Sequence, residues 1–348
     1  MSNLSELLPA GSGAKVAEFV ASGTLASGQT VALKADGTVE AVSSTAPVAG
    51  TLATLTSDTL INYGLTSAYD ATNNIVVVAY ANSGGVYGQA GVVSGSSITW
   101  QGQNVIMSGN GGKISVVHDA NNGRFLFVYY TNTNSGQLYM RTALVGDGAW
   151  SNGTQVTLNA GNYPYQMVLV YDPVAQKSLV AYGDQSNSQY GTAKVLTISG
   201  GNVSAGTDVV YSSEATQNDS AVYAANAGAC VIACIPQSSS VLKSAVGVIS
   251  GTSVTFSTPV TFNTTTPRSW GNGPVTTLAY DATAERVIYA NSQADGCYAY
   301  AGLVASSGVT WGAKTSITSA ASGTGATTVV YNSTTKVTSV LFAQNCTS

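Results

Sequence analysis

Charge is what this sequence has least of. Only 8% of its residues are Asp, Glu, Lys or Arg, about a third of the ~25% usual in soluble domains. Twelve Lys and Arg against sixteen Asp and Glu provide no clustered basic surface of the kind that phosphate backbones require, so nucleic acid is excluded as an expected partner. Histidine occurs once, as His118, around which no Ser-His-Asp set can be built. Cysteine occurs four times, as Cys230, Cys234, Cys297 and Cys346, without a CxxC or Cys/His cluster, so no metal or cofactor is expected. Cys230 and Cys234 fall four residues apart on one expected strand, roughly 13 Å at strand rise, too far to bridge each other. They read as free thiols of a reducing compartment, with a Cys230–Cys297 bridge as the alternative. Apolar runs long enough for a membrane span, about 18–20 residues, are absent, so no membrane insertion is expected. Met1–Phe19 lacks a basic start followed by an apolar segment and is read as containing no signal peptide.

Gly, Ser, Thr and Asn supply the polarity that charge does not. Val, Ile and Tyr alternate with them in short runs, which separates this composition from a disordered one. The runs recur. Leu65-Thr66-Ser67-Ala68-Tyr69-Asp70, a turn, Ile75–Tyr80, a polar loop, Tyr87–Val93, a tight turn at Ser94-Gly95-Ser96 and a final run to Met107 make four short strands, a to d. Equivalent ends of strand a follow at His118-Asp119, Tyr171-Asp172, Tyr223-Ala224, Tyr280-Asp281 and Tyr331-Asn332, at spacings of 49, 53, 52, 57 and 51 residues. The Asp or Asn can bond backbone groups two residues on and hold the a–b hairpin. Strand d repeats a large aromatic residue, Trp100, Trp150, Phe256 and Trp311, expected to pack between repeats.

A four-stranded unit of about 50 residues is the period of a β-propeller blade. The expected fold is therefore all-β, a six-bladed β-propeller over residues 36–348 preceded by an N-terminal arm, residues 1–35. The sixth copy has only strands a (Thr327–Asn332) and b (Val337–Ala343). Its missing c and d strands are expected from Asp36–Ser43 and Ala49–Thr56. Ala49 stands 21 residues before Asp70, as Trp311 stands 21 before Asn332. Such sharing would close the ring and leave no open edge. Within the arm, Phe19–Leu33 reads as a hairpin turning around Ser27-Gly28.

The a–b turns are short and uniform, whereas the b–c loops and d–a connections, on the opposite face of the blades, vary. Tyr80, Tyr130 and Tyr182 end strand b and read as caps of the blade core, with their hydroxyls in water. The d–a connection Leu158–Gln166 carries Tyr163 and Tyr165, and the longest, Asn263–Pro274, carries Arg268 and Trp270. Aromatic faces beside amides and hydroxyls suit a sugar, and Trp and Arg are common anchors of interfaces. With Asp219 and Asp295, these residues form the candidate binding set. Catalysis has less footing: Asp184, Asp208, Glu214, Asp219 and Asp295 lie outside hairpin turns, but nothing pairs them as glycoside hydrolysis requires. The chain is not expected to be an enzyme.

Leu7-Leu8-Pro9-Ala10-Gly11-Ser12-Gly13 followed by Phe19–Leu33, with its Gly28-Gln29-Thr30-Val31 core, resembles the N-terminus of tail-fibre-like virion proteins of tailed bacteriophages, especially marine and cyanobacterial ones. The likeness covers about forty residues. It implies a homo-oligomeric virion protein assembled in the host cytoplasm, docked on other tail proteins through residues 1–35. The propeller would then bind a host-surface glycan or a partner protein. The alternatives are a purely structural decoration or tail-assembly component, and a glycan depolymerase.

Overall fold

A computed structural model of the protein describes residues 20, 23–24, 31–33, 38–41, 65–95, 97–131, 136–146, 149–159, 165–238, 241–263, 276–293, 296–318 and 327–342. The chain divides into two compact units, Met1–Thr51 and Leu52–Ser348. In the first unit, β1 (Val31–Leu33) and β2 (Val39–Ala41) pair antiparallel. β2 falls within the stretch expected to supply strand c of the last blade, and its partner among the described residues is β1. The expected turn at Ser27-Gly28 and the stretch Ala49–Thr56 lie outside the described residues.

Among the described residues the second unit is built of β-strands, with a 3-10 turn at Gln185–Asn187. Its first sheet is β3 (Leu65–Asp70), β4 (Ile75–Asn82), β5 (Gly85–Ser94) and β6 (Ser97–Ser108), each antiparallel to the next. This is the four-stranded unit expected from the repeat. The second sheet is β7 (Gly111–Asp119), β8 (Arg124–Thr131) and β9 (Leu138–Gly146), with β10 (Ala149–Asn152) and β11 (Val156–Asn159) both pairing β9. Strand d is thus cut in two by a backbone step.

The third and fourth blades, both in the second unit, share a strand. β12 (Tyr165–Asp172), β13 (Lys177–Asp184), β14 (Tyr190–Ser199) and β15 (Asn202–Ala205) lead into β16 (Val209–Ala224). The start of β16 pairs β14 and its end pairs β17 (Ala229–Pro236), so it closes one blade and opens the next. β18 (Leu242–Ser250), β19 (Ser253–Phe256) and β20 (Val260–Asn263) complete the fourth. The fifth holds β21 (Thr276–Asp281), β22 (Arg286–Gln293), β23 (Gly296–Ala305), β24 (Gly308–Trp311) and β25 (Thr315–Thr318). β26 (Thr327–Asn332) and β27 (Val337–Phe342) pair only each other among the described residues.

First strands of successive sheets pack side by side, β3 on β7, β7 on β12, β12 on β16, β16 on β21 and β21 on β26. That succession is the arrangement of propeller blades. It explains why the second strand of a blade reads as a continuous apolar run, since both of its faces are covered by neighbours. β17 is the extreme case, buried at every position from Ala229 to Pro236. Cys230, Cys234 and Cys297 are buried in this packing.

Two side chains of the repeated Tyr-Asp pair hold two different turns. The acid accepts from backbone N–H groups of its own a–b turn: Asp70 from Thr72 and Asn73, Asp172 from Val174 and Ala175, Asp281 from Thr283 and Ala284. Asn332 does the same for Thr334 and Thr335. The tyrosine reaches back to the previous blade. Tyr171 Oη accepts from Asn121 N, Tyr280 Oη accepts from Asn226 N, and Tyr331 Oη meets Thr283 Oγ1 at 2.8 Å. His118 occupies the tyrosine position of the second blade and points to the first blade's Asp70, Nε2 to Oδ2 3.5 Å. Asn226, which replaces the missing acid of the fourth blade, serves the fifth instead, donating Nδ2 to Val304 O.

Three strand-d aromatics pack between blades as expected: a Cβ on Gly88 of the first blade would fall 2.8 Å from the Trp150 ring, and Phe256 lies 5.2 Å from Tyr211 at the start of β16. Trp311 stacks on Phe262 of the blade before it, centroids 4.3 Å apart, and donates Nε1 to Ser244 Oγ of that blade.

Candidate functional site: a cleft between the first two blades

The step within strand d sets the geometry of each junction. In four blades the residue at the step donates its N–H to the strand beside it: Gly153 to Thr142 O, Gly206 to Val195 O, Ser257 to Val246 O and Gly312 to Ala301 O. Glycine is required at the first two, because a Cβ on Gly153 would fall 2.0 Å from Gly201 O and one on Gly206 would fall 1.9 Å from Thr252 O. The turn of the following blade presses against the step. Two residues beyond the step stand Gln155 and Asp208, and one residue before each carbonyl acceptor on strand c stand Arg141 and Lys194.

Gln155 and Asp208 each bond a buried tyrosine. Tyr80, Tyr129 and Tyr182, each the sixth residue of its strand b counted from the a–b turn, are almost wholly inaccessible. Tyr80 Oη accepts from Gln103 Nε2, Tyr129 Oη donates to Gln155 Oε1 at 2.9 Å, and Tyr182 Oη donates to Asp208 Oδ1 at 2.7 Å. Burial pushes the Tyr129 hydroxyl well above the usual tyrosine range despite the opposing pull of Arg141. Burial and then the bond to Asp208 do the same for Tyr182. Both remain protonated donors at ordinary pH. Tyr80 and Tyr182 are not caps with their hydroxyls in water: both side chains lie inside the blade packing and both hydroxyls bond side chains. In the second blade the fully buried residue is Tyr129, with Tyr130 only partly buried.

The basic residue of strand c ties two blades together. Arg141 donates Nε to Gly153 O (2.8 Å) in its own blade and Nη1 to Ile106 O (2.5 Å) in the first. Lys194 donates Nζ to Leu158 O (3.1 Å) of the second blade and pairs with Asp208 of its own at 3.2 Å. At the next junction Lys243 pairs with Glu214.

Between the first and second blades the packing leaves a cleft of about 280 Å³, lined by Ile106, Met107, Ser108, Thr131, Tyr139, Arg141 and Gln155. Ser108 ends β6 and Thr131 ends β8, so the cleft lies toward the face from which the b–c and d–a segments emerge. Its volume stands at the lower edge of the ~300–1,000 Å³ typical of small-ligand pockets. One wall is apolar (Ile106, Met107). The other offers a guanidinium, an amide, two hydroxyl residues and the half-buried Tyr139 ring, whose hydroxyl donates to Gln137 Oε1.

Of the residues singled out in the sequence, Tyr163, Arg268, Trp270 and Asp295 lie outside the described residues. Tyr165 opens β12 opposite Gly183, and Asp219 is the extra residue of a bulge between Asn218 and Ser220 on β16. Three of the five acids weighed for hydrolysis have structural partners: Asp184 Oδ1 accepts from Ser186 N, Ser186 Oγ and Asn159 Nδ2, while Asp208 and Glu214 face lysines. Arg141, Tyr139 and Gln155 are not in the binding set chosen from the sequence. A signal existed: Arg141 to Lys194 and Gln155 to Asp208 are both 53 residues, one repeat apart.

No family model and no curated protein sequence matches the chain. Solved structures do. A triple arginine-to-alanine variant of AofleA from Arthrobotrys oligospora superposes with a TM-score of 0.50 at 10% identity, covering 73% of this chain and 72% of that one. The chain shares its propeller-like fold. A protein from Lactobacillus plantarum matches at TM-score 0.42 and 13% identity over 86% of this chain and 96% of its own. An exo-beta-1,3-galactanase from Clostridium thermocellum matches at 0.40 and 10% over 70% and 57%.

Proposed function

We propose that this chain is a non-enzymatic, saccharide-binding β-propeller, closed as six blades by strands from Asp36–Ser43 and Ala49–Thr56, and carried on a bacteriophage particle by residues 1–35. The observation that carries the binding reading is the cleft at the first blade junction. It offers one partly exposed aromatic ring and a set of donors and acceptors held by the fold in a space fit for a single sugar unit. An aromatic face covers the apolar face of a sugar ring, while Arg141, Gln155, Thr131 and Ser108 can pair its hydroxyls. Preorganisation favours affinity here, because Arg141 and Gln155 are already fixed by Gly153 O, Ile106 O and Tyr129 Oη and lose little freedom on binding. The d–a segments that carry Tyr163 and Tyr165, and Arg268 and Trp270, are expected from the sequence on the same face and would extend the contact to a longer glycan. The virion assignment rests on the N-terminal resemblance.

A glycan array probed with the intact protein and with Tyr139→Ala tests the reading. Saturable binding that the substitution weakens about tenfold or more, a loss of about 1.4 kcal/mol, is expected. Equal binding by both proteins would remove the cleft from the account.

A further inference from the structure

The junctions differ in how the strand-c cation is neutralised. Lys194 has Asp208 at 3.2 Å, and Lys243 has Glu214. Arg141 occupies the place of Lys194, one residue before the carbonyl that receives the step N–H, yet the place of Asp208 is filled by Gln155. The guanidinium is met by two backbone carbonyls through Nε and Nη1, and no carboxylate pairs with it among the described residues. Carbonyls satisfy donors but carry no formal charge. A cation held at the wall of a half-enclosed cleft, with its planar fork only partly engaged, is matched by a carboxylate or sulfate, to which Arg binds with directed, charge-assisted hydrogen bonds.

Resting on the saccharide reading above, we infer that the ligand of this cleft is an acidic saccharide, its anionic group placed against Arg141 where the next blade supplies Asp208. The anion completes an ion pair of the kind that Lys194 and Asp208 make within the third blade. Gln155 accepts from Tyr129 and keeps its amide N–H₂ as a second donor toward the same group.

Titration calorimetry of the full chain against paired monosaccharides tests this: galacturonic, glucuronic and N-acetylneuraminic acids, each beside its methyl ester, with sodium acetate as the anion alone. The acid is expected to bind about tenfold or more tightly than its ester, with affinity falling as salt rises. Gln155→Asp, which restores the neighbouring blade's internal pair and leaves Arg141 in place, is expected to abolish that preference while the protein melts as the parent does. Acid and ester binding alike would overturn the acidic inference and leave the saccharide site standing. Acetate binding as tightly as the acids would overturn it too, since the cleft would then read only an anion. Binding of no sugar, charged or neutral, would overturn the saccharide reading and this inference with it.

Discussion

His118 shows how one residue can depart from a repeat and leave a measurable trace. Where three other blades place a tyrosine hydroxyl on the preceding turn, this blade places an imidazole 3.5 Å from Asp70 Oδ2, with Nε2 buried and without a hydrogen bond. Burial lowers its pKa below the ordinary 6.5, although Asp70 and Asp119 pull the other way. The unfolded chain then takes up a proton at higher pH than the folded one. Stability is therefore full above about pH 6.5 and falls as pH drops below it. For Asp70, burial raises the pKa, but bonds from Asn73 and Thr72 and the nearby His118 outweigh it and hold the carboxyl below 3.8. Its contribution is present above that value and is lost only in stronger acid. His118→Tyr restores the residue of the other blades, and urea midpoints at pH 7.5 and 5.5 should differ less than in the parent; an unchanged difference would contradict the assignment. Asp172 is the cleaner case of the turn role. Asp172→Ala leaves the Val174 and Ala175 N–H groups without their acceptor and should cost about 1–3 kcal/mol in a denaturant titration.

At the level of the element, the step in strand d is what couples blades. Gly206→Val puts atoms where Thr252 O already lies and should destabilise by several kcal/mol, beyond the ~1–3 typical of overpacking, because the obstacle is backbone rather than a side chain. A thermal melt reads this directly. Trp311→Ala removes the stack on Phe262 and the bond to Ser244, at a cost of about 3–5 kcal/mol. Hydrogen exchange should show the loss concentrated in β18, β20 and β23, with β3 to β6 protected as before. These elements were partly legible beforehand. Asp at the end of strand a and Trp in strand d carried clear chemistry at a fixed period, so turns and aromatic packing could be read from sequence. The break in strand d could not, because Asn-Gly-Thr, Ala-Gly-Thr, Ser-Thr-Pro and Gly-Ala-Lys look like ordinary strand-edge composition. The N–H bond that unites them is a backbone property.

For the whole molecule, the repeat made the blade series legible, since each copy must bury its faces against neighbours. The site was not legible for the complementary reason. Arg141, Tyr139 and Gln155 sit inside regular strands or beside them, where sequence reasoning expects structure, while variable loops drew attention to Trp270, Arg268 and Tyr163. Only comparison of one junction with the next exposes a cation without its carboxylate. The most direct measurement is a crystal structure of the protein soaked with the tightest-binding sugar from the acidic panel. The account predicts the sugar between β6 and β9, its ring on Tyr139 and its carboxylate on Arg141. A sugar bound elsewhere while this cleft holds none would contradict it.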